Sequence, residues 1–175
     1  MLASGSWDEA CPVPISDLRV LTLSYWNFEG LEQSGQLMVH ADVAEDVERV
    51  FTALYDARFP IRRMELIDAF GSDDEASMLA DNTSAFNCRL VSGSQEWSQH
   101  SYGIAVDINP LENPEVSEGR VDPPTGARYA DRTLQLPGMI FQGESVAKAF
   151  SAIGWSWGGL WSAPKDYMHF SLNGT

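Results

Sequence analysis

The chain has 175 residues, 44% of them hydrophobic and 11% aromatic, which is enough to bury one core, and a single domain over 1–175 is expected. Eleven basic against twenty-five acidic side chains leave a formal charge of −14, which argues against nucleic acid and anionic lipid as partners, since both are bound through Lys and Arg. The acidity otherwise reads as a solubility feature. No window approaches the roughly 20 apolar residues needed to cross a bilayer, so no membrane span is expected. The opening MLASGSWDEACPVP has neither a basic n-region nor an apolar h-region, so no signal peptide is read in the chain as given. Cys11 and Cys88 have no CxxC partner, which argues against a thiolate zinc site. A disulfide, which would point to an oxidising compartment, and two buried thiols both fit.

In chain order, Leu18 to Trp26 alternates apolar and polar residues and predicts a strand buried on one face, and Gln36 to His40 predicts a second. Asp42 with Glu45 matches a capping box, and Val43, Val47, Val50, Phe51 and Leu54 then recur at helical spacing, predicting a helix from about Asp42 to Arg58 that Pro60 stops. Ile61 to Ile67 reads as a strand. Ser72 followed by three acids predicts a short helix ending near Ala80. Ala85 to Leu90 and Ile104 to Ile108 read as strands. The segment 110–138, dense in Pro, Gly and Asn, reads as a long loop of the kind that is usually functional or mobile. Glu144 to Ile153 has helical spacing with Gly154 as its C′ residue, and Met168 to Leu172 reads as a closing strand. Strands mixed with segregated helices predict an α+β fold, a mostly antiparallel sheet with flanking helices.

Two strings carry chemistry. In SQHSYGIAVDINP, His100 precedes a glycine turn and Asp107 lies in the apolar strand that follows, where a carboxylate between Val106 and Ile108 is costly unless a cation or hydrogen bonds meet it. In KDYMHFSL, His169 sits among strand residues with Asp166 three positions earlier. Two imidazoles and a carboxylate are good zinc ligands, and three protein ligands with a fourth position open describe a catalytic zinc site. Taken singly, each has a plain structural reading: a core histidine satisfied by hydrogen bonds, or an aspartate in a turn. The chain has only three histidines, and two of them stand in these strings. His40 reads as structural or exposed.

The strings SQHSYGIAVD and DYMHF resemble the two signature motifs of the zinc D-alanyl-D-alanine carboxypeptidase and L-alanyl-D-glutamate endopeptidase family, which includes the vancomycin-resistance D,D-carboxypeptidases. That family is related in fold to lysostaphin-type peptidases and the hedgehog signalling domain. Ser98, His100, Gly103, Ala105 and Asp107 fall in the family's places, and the likeness spans about 82–172. The resemblance implies zinc held by His100, Asp107 and His169, with Asp166 as catalytic base and peptidoglycan stem peptides as substrate. An extracytoplasmic setting, secreted or at the cell wall, and a monomer are expected. NTSAFNCR is similar to a segment that carries a substrate-side arginine in the carboxypeptidase branch, here Arg89, and GWSWGGLW is similar to the aromatic-glycine stretch before the last motif. Two departures stand out: Asp166 where many carboxypeptidases have Glu, and Tyr167 where some relatives have a second histidine.

Arg89 would pair with a substrate carboxylate or stabilise an oxyanion, the alternative being a structural ion pair with one of the many acids. Trp155, Trp157 and Trp161 read first as core packing and second as a substrate platform, with Trp161 and Tyr167 the candidates near substrate. Ser98 is expected to orient the His100 loop; as a nucleophile it would leave Asp107, Asp166 and His169 unexplained. The function expected is hydrolysis of stem peptides, as a D-Ala-D-Ala carboxypeptidase or alternatively as an L-alanyl-D-glutamate endopeptidase. A zinc-retaining binding module without turnover is the non-enzymatic rival.

Overall fold

The computed structural model describes residues 5–174. Residues 1–4, which open the segment read above for a leader, lie outside the described residues, as does residue 175. Alternation along Leu18–Trp26 produces strand β1, which pairs antiparallel with β2 (Glu32–His40) from Leu18 opposite His40 to Trp26 opposite Glu32. Strand β2 starts four residues before the predicted Gln36. Its polar first half is held in the backbone ladder to β1, and the Asn27 side chain closes the turn by accepting from the Glu29 and Leu31 amides. Leu21, Leu23, Leu37 and Val39 line the inner face of this hairpin.

Helix α1 (Ala44–Asp56) packs on that face through Val47, Val50, Phe51 and Leu54, the spacing its sequence predicts. Its start corrects the expected capping box. A 3-10 turn over Ala41–Val43 intervenes, capped by His40 Nδ1, which accepts from the Asp42 amide at 3.2 Å, and Val43 stands at the helix N-cap. The extra turn moves Asp42 out of capping register, and its side chain is exposed.

The predicted strand 61–67 is reduced to β3 (Arg63–Met64). Helix α2 (Asp74–Leu79) is capped by Asp73, whose carboxylate accepts from the Ala76 amide, while Ser72 lies before it at φ 64°. Strand β4 (Asn82–Thr83) runs parallel to β3, whereas the other strand pairs among the described residues are antiparallel. The predicted strand 85–90 forms no ladder. A disulfide joins Cys88 to Cys11 and pins the N-terminal segment beside a small cluster of Val13, Leu18, Met38 and Phe86.

Strand β5 (Ala105–Asp107) follows a 3-10 turn at Gln99–Tyr102. The segment 110–138, read as a long loop, contains a hairpin of β6 (Glu115–Ser117) and β7 (Arg120–Asp122), followed by 3-10 turns over Pro124–Ala130. Helix α3 (Ser145–Ala152) buries Val146 and Phe150, and Gly154 follows it as expected. Strands β8 (Ser156–Trp157), β9 (Lys165–Asp166) and β10 (His169–Ser171) end the chain. Strand β10 lies between β5 and β8, and β6 lies between β7 and β9. The architecture is α+β, with the main core shared by the hairpin, α1, α3 and the β5-β10-β8 sheet. No helix among the described residues is long and apolar enough to cross a membrane.

Candidate metal centre

Strands β5 and β10 set the site by register. His169 stands directly opposite Asp107, and Phe170 opposite Val106. Successive strand residues point to opposite faces, so Val106 and Phe170 enter the core, each fully enclosed, while Asp107 and His169 share the other face. Phe170 is clamped by Phe150, with ring centroids 4.0 Å apart, and this fixes β10 from below. His100 arrives from the 3-10 turn before β5. Ser98 caps that turn, its Oγ accepting from the His100 amide at 3.3 Å. Gly103 ends it at φ 69°, where a Cβ would lie 2.6 Å from the His40 amide nitrogen, so only glycine fits between turn and hairpin.

The three side chains converge in a buried place. Asp107 Oδ1 lies 3.0 Å from His169 Nδ1, Asp107 Oδ2 lies 3.2 Å from His100 Nε2, and the two imidazole nitrogens are 3.3 Å apart. His100 Nδ1 lies 2.5 Å from the Ala85 carbonyl, which can only accept, so Nδ1 carries the proton and Nε2 of the neutral ring presents its lone pair to the cluster. Two imidazole nitrogens and a carboxylate oxygen aimed at one another repel unless a cation or a proton lies between them. The donor set can hold a metal ion. Among the described residues a second such cluster, Asp8 with Cys11 and Cys88, has both thiols consumed by the disulfide.

Charge follows the same geometry. Burial opposes ionisation of Asp107, but the two imidazoles outweigh it and hold its carboxyl well below the usual carboxylate range. Burial also disfavours a charged His100, yet the Asp107 carboxylate prevails and raises that imidazole above its ordinary value. A buried anion of this strength is a strong attractor for a cation.

Asp166, on β9, lies beside this cluster. Its Oδ1 is enclosed without a hydrogen-bond partner. Burial first, then the negative charges of Asp107 and Glu115, push its carboxyl up to about 7, against the pull of His169 and a hydrogen bond from the Met168 amide. Glu115 faces Asp166 across the β6-β9 ladder. The segment before β9 comes within close contact: a Cβ on Gly158 would lie 2.5 Å from the Asp166 carbonyl oxygen and 3.0 Å from its Cβ. Glycine there lets the turn press Asp166 toward the metal cluster.

The remaining sequence candidates separate. Arg89 is paired with Asp74, Nη2 to Oδ2 at 2.9 Å, and Asn87 holds the other oxygen of the same carboxylate, so the structural ion pair weighed from the sequence is present. The Arg89 charge is still felt at His100, where it disfavours the imidazolium. Trp161 packs its ring 5.5 Å from that of His169. Trp157 belongs to the core, and its Nε1 donates to the Tyr167 carbonyl at 2.9 Å. The Tyr167 ring is covered by the Arg132 guanidinium at 4.2 Å. Sequence reasoning missed Arg132, whose fork also donates to the carbonyls of Glu112, Tyr129 and Ile140 and so ties the 110–140 excursion to the site. It also missed Glu115 and Ala85. The Glu118-Gly119 pair between Val116 and Val121 was an available signal for the β6-β7 hairpin: both residues have positive φ, as a two-residue type I′ loop demands.

No curated protein and no solved structure matches the chain. Residues 92–172 match a family model described as D-alanyl-D-alanine carboxypeptidase, a segment that takes in His100, Asp107, Asp166 and His169 and leaves Arg89 just outside. The site-bearing part of the chain is therefore similar to D-alanyl-D-alanine carboxypeptidase-like metallopeptidases.

Proposed function

We propose that the chain is a zinc-dependent peptidase of peptidoglycan stem peptides, acting as a D-alanyl-D-alanine carboxypeptidase, with His100, Asp107 and His169 as the metal ligands. The observation that carries the proposal is the convergence of two imidazole nitrogens and one carboxylate, 3.0 to 3.3 Å apart and buried. The 3.3 Å between the two imidazole nitrogens matches the edge of a tetrahedron with zinc–ligand bonds of about 2.0 to 2.1 Å, and each nitrogen has an Asp107 oxygen within 3.2 Å. The Ala85 carbonyl fixing the His100 tautomer is the outer contact that metal-bound histidines use. Zinc, when bound, supplies Lewis acidity, polarising a carbonyl and lowering the pKa of water.

The chain's own residues do the rest. Asp166 Oδ1, without a protein partner, accepts the proton that water loses as its oxygen attacks the scissile carbonyl carbon. A carboxyl near 7 then returns that proton to the leaving amine as the C–N bond breaks. Trp161 walls the site beside His169, while Tyr167 packs between Trp157 and Arg132 behind it. Arg89, held by Asp74, would share its fork with a substrate carboxylate. The Cys11–Cys88 disulfide supports work in an oxidising, extracytoplasmic compartment.

The test is digestion of purified muropeptides with and without a chelator, products read by mass, using the parent and Asp166→Asn. The parent should release terminal D-alanine in a chelator-sensitive reaction, and Asp166→Asn should bind zinc and release none. Cleavage nearer the L-alanine end would assign endopeptidase activity instead, and parental turnover by Asp166→Asn would remove Asp166 from the mechanism.

A further inference from the structure

A cavity of about 750 Å³ opens between helix α3 and the turn that follows β8. Trp161 belongs both to its wall and to the ring contact with His169, so the cavity adjoins the candidate metal centre across that ring. Trp157, another wall residue, donates its indole N–H to the Tyr167 carbonyl, between Asp166 and His169. Leu160, 56% exposed, completes an apolar lip.

The charge of the lining is out of keeping with the protein. On a chain with twenty-five acids and eleven bases, the wall has, among the described residues, one charged side chain, Lys148, and no acidic side chain. Lys148 makes no ion pair among the described residues. Aromatic faces beside an ammonium without an ion-pair partner suit a ligand with apolar carbon next to a carboxylate.

We propose that this cavity is a substrate subsite for a carboxylate-bearing residue of the stem peptide, with its carbon chain on Trp157, Trp161 and Leu160 and its carboxylate on Lys148. The proposal rests on the peptidase reading and extends it: the enzyme takes peptides that reach past the scissile bond and carry a free acid there. Binding energy gained at such a distance is spent on orienting the scissile bond.

The probe is a D-Ala-D-Ala-terminated stem pentapeptide with its glutamyl α-carboxylate free, compared with the same peptide amidated at that carboxylate. Binding to the chelator-treated protein, followed by tryptophan fluorescence, removes catalysis from the measurement. The free acid should bind about tenfold more tightly than the amide, as one charge-assisted contact allows. Lys148→Met should bring that ratio close to one, and Lys148→Arg should keep it. Equal binding of the two peptides by the parent, or an undiminished ratio in Lys148→Met, overturns the subsite, as does fluorescence quenching by a chitin trisaccharide with none by either peptide. Cleavage of both peptides by the zinc-loaded protein at equal kcat/KM overturns the subsite and leaves the peptidase reading standing. A Lys148-dependent preference in binding without any cleavage keeps the subsite and overturns the peptidase reading.

Discussion

Asp81 and Glu112 are each 3% exposed and hold one another at the base of the 110–140 excursion. Asp81 Oδ1 accepts from the Leu111 amide at 2.9 Å and Oδ2 lies 3.7 Å from Arg62 Nε, while Asp81 Oδ2 and Glu112 Oε2 are both enclosed and meet no donor unless a proton sits between the two carboxyls. Two carboxylates so placed cannot both ionise cheaply. Burial first, then the hydrogen bond to Asp81 and its charge, push Glu112 from 4.5 up to about 8, which makes it the proton carrier. Between those two values the folded chain keeps a proton the unfolded chain has released, so stability falls as pH rises across the window and levels off above about pH 8. At about 1.4 kcal/mol per pH unit the whole span is worth about 5 kcal/mol, and sharing of the proton with Asp81 brings the expected effect to about 2 to 4 kcal/mol. Glu112→Gln puts a permanent amide N–H where the carboxyl proton was. In urea unfolding followed by tryptophan fluorescence on metal-free protein, where groups common to both chains cancel, parent and variant should agree within about 1 kcal/mol at pH 5. At pH 9 the variant should be the more stable by about 2 to 4 kcal/mol. A variant less stable than the parent at pH 9, or a difference independent of pH, refutes the shared proton.

Two further outcomes follow from packing and connectivity. Gly158→Ala should lower kcat on stem peptides by about 10- to 100-fold with zinc content unchanged, because the new methyl group must push the Asp166 backbone aside; undiminished turnover would show that Asp166 tolerates displacement. Replacing Cys11 and Cys88 together by alanine opens a loop of sequence separation 77 and should cost about 4 kcal/mol in urea unfolding, and a loss below about 1 kcal/mol would mean that the bridge adds nothing to the native state.

Regular periodicity was legible in the sequence, and side-chain substitution for backbone pairing was not. Strand β1 and the buried stripe of α1 follow from alternation and helical spacing, since one face of each meets the core. Ile61 to Ile67 has strand composition but little ladder, because side-chain amides take its backbone groups: Asn82 bonds both the N–H and C=O of Glu65, and Asn109 accepts from the Arg62 amide. The same holds for Ala85 to Leu90, where the Ser101 hydroxyl meets the Arg89 amide and the Asn87 and Arg89 carbonyls in place of a strand. The three converging side chains were picked out because a carboxylate in an apolar strand and two of three histidines in motif-like strings are unusual. The β6-β9 pairing that brings Glu115 opposite Asp166 was hidden, since strands of two or three half-buried residues carry almost no period.

The account stands on one metal ion held jointly by His100, Asp107 and His169. The most direct measurement is elemental analysis of zinc in dialysed protein for the parent and for the three single alanine variants at those positions, with circular dichroism to confirm that each has folded. The account predicts about one zinc per parent chain and a large loss in every variant. A folded His169→Ala protein that keeps the parental zinc content would contradict it.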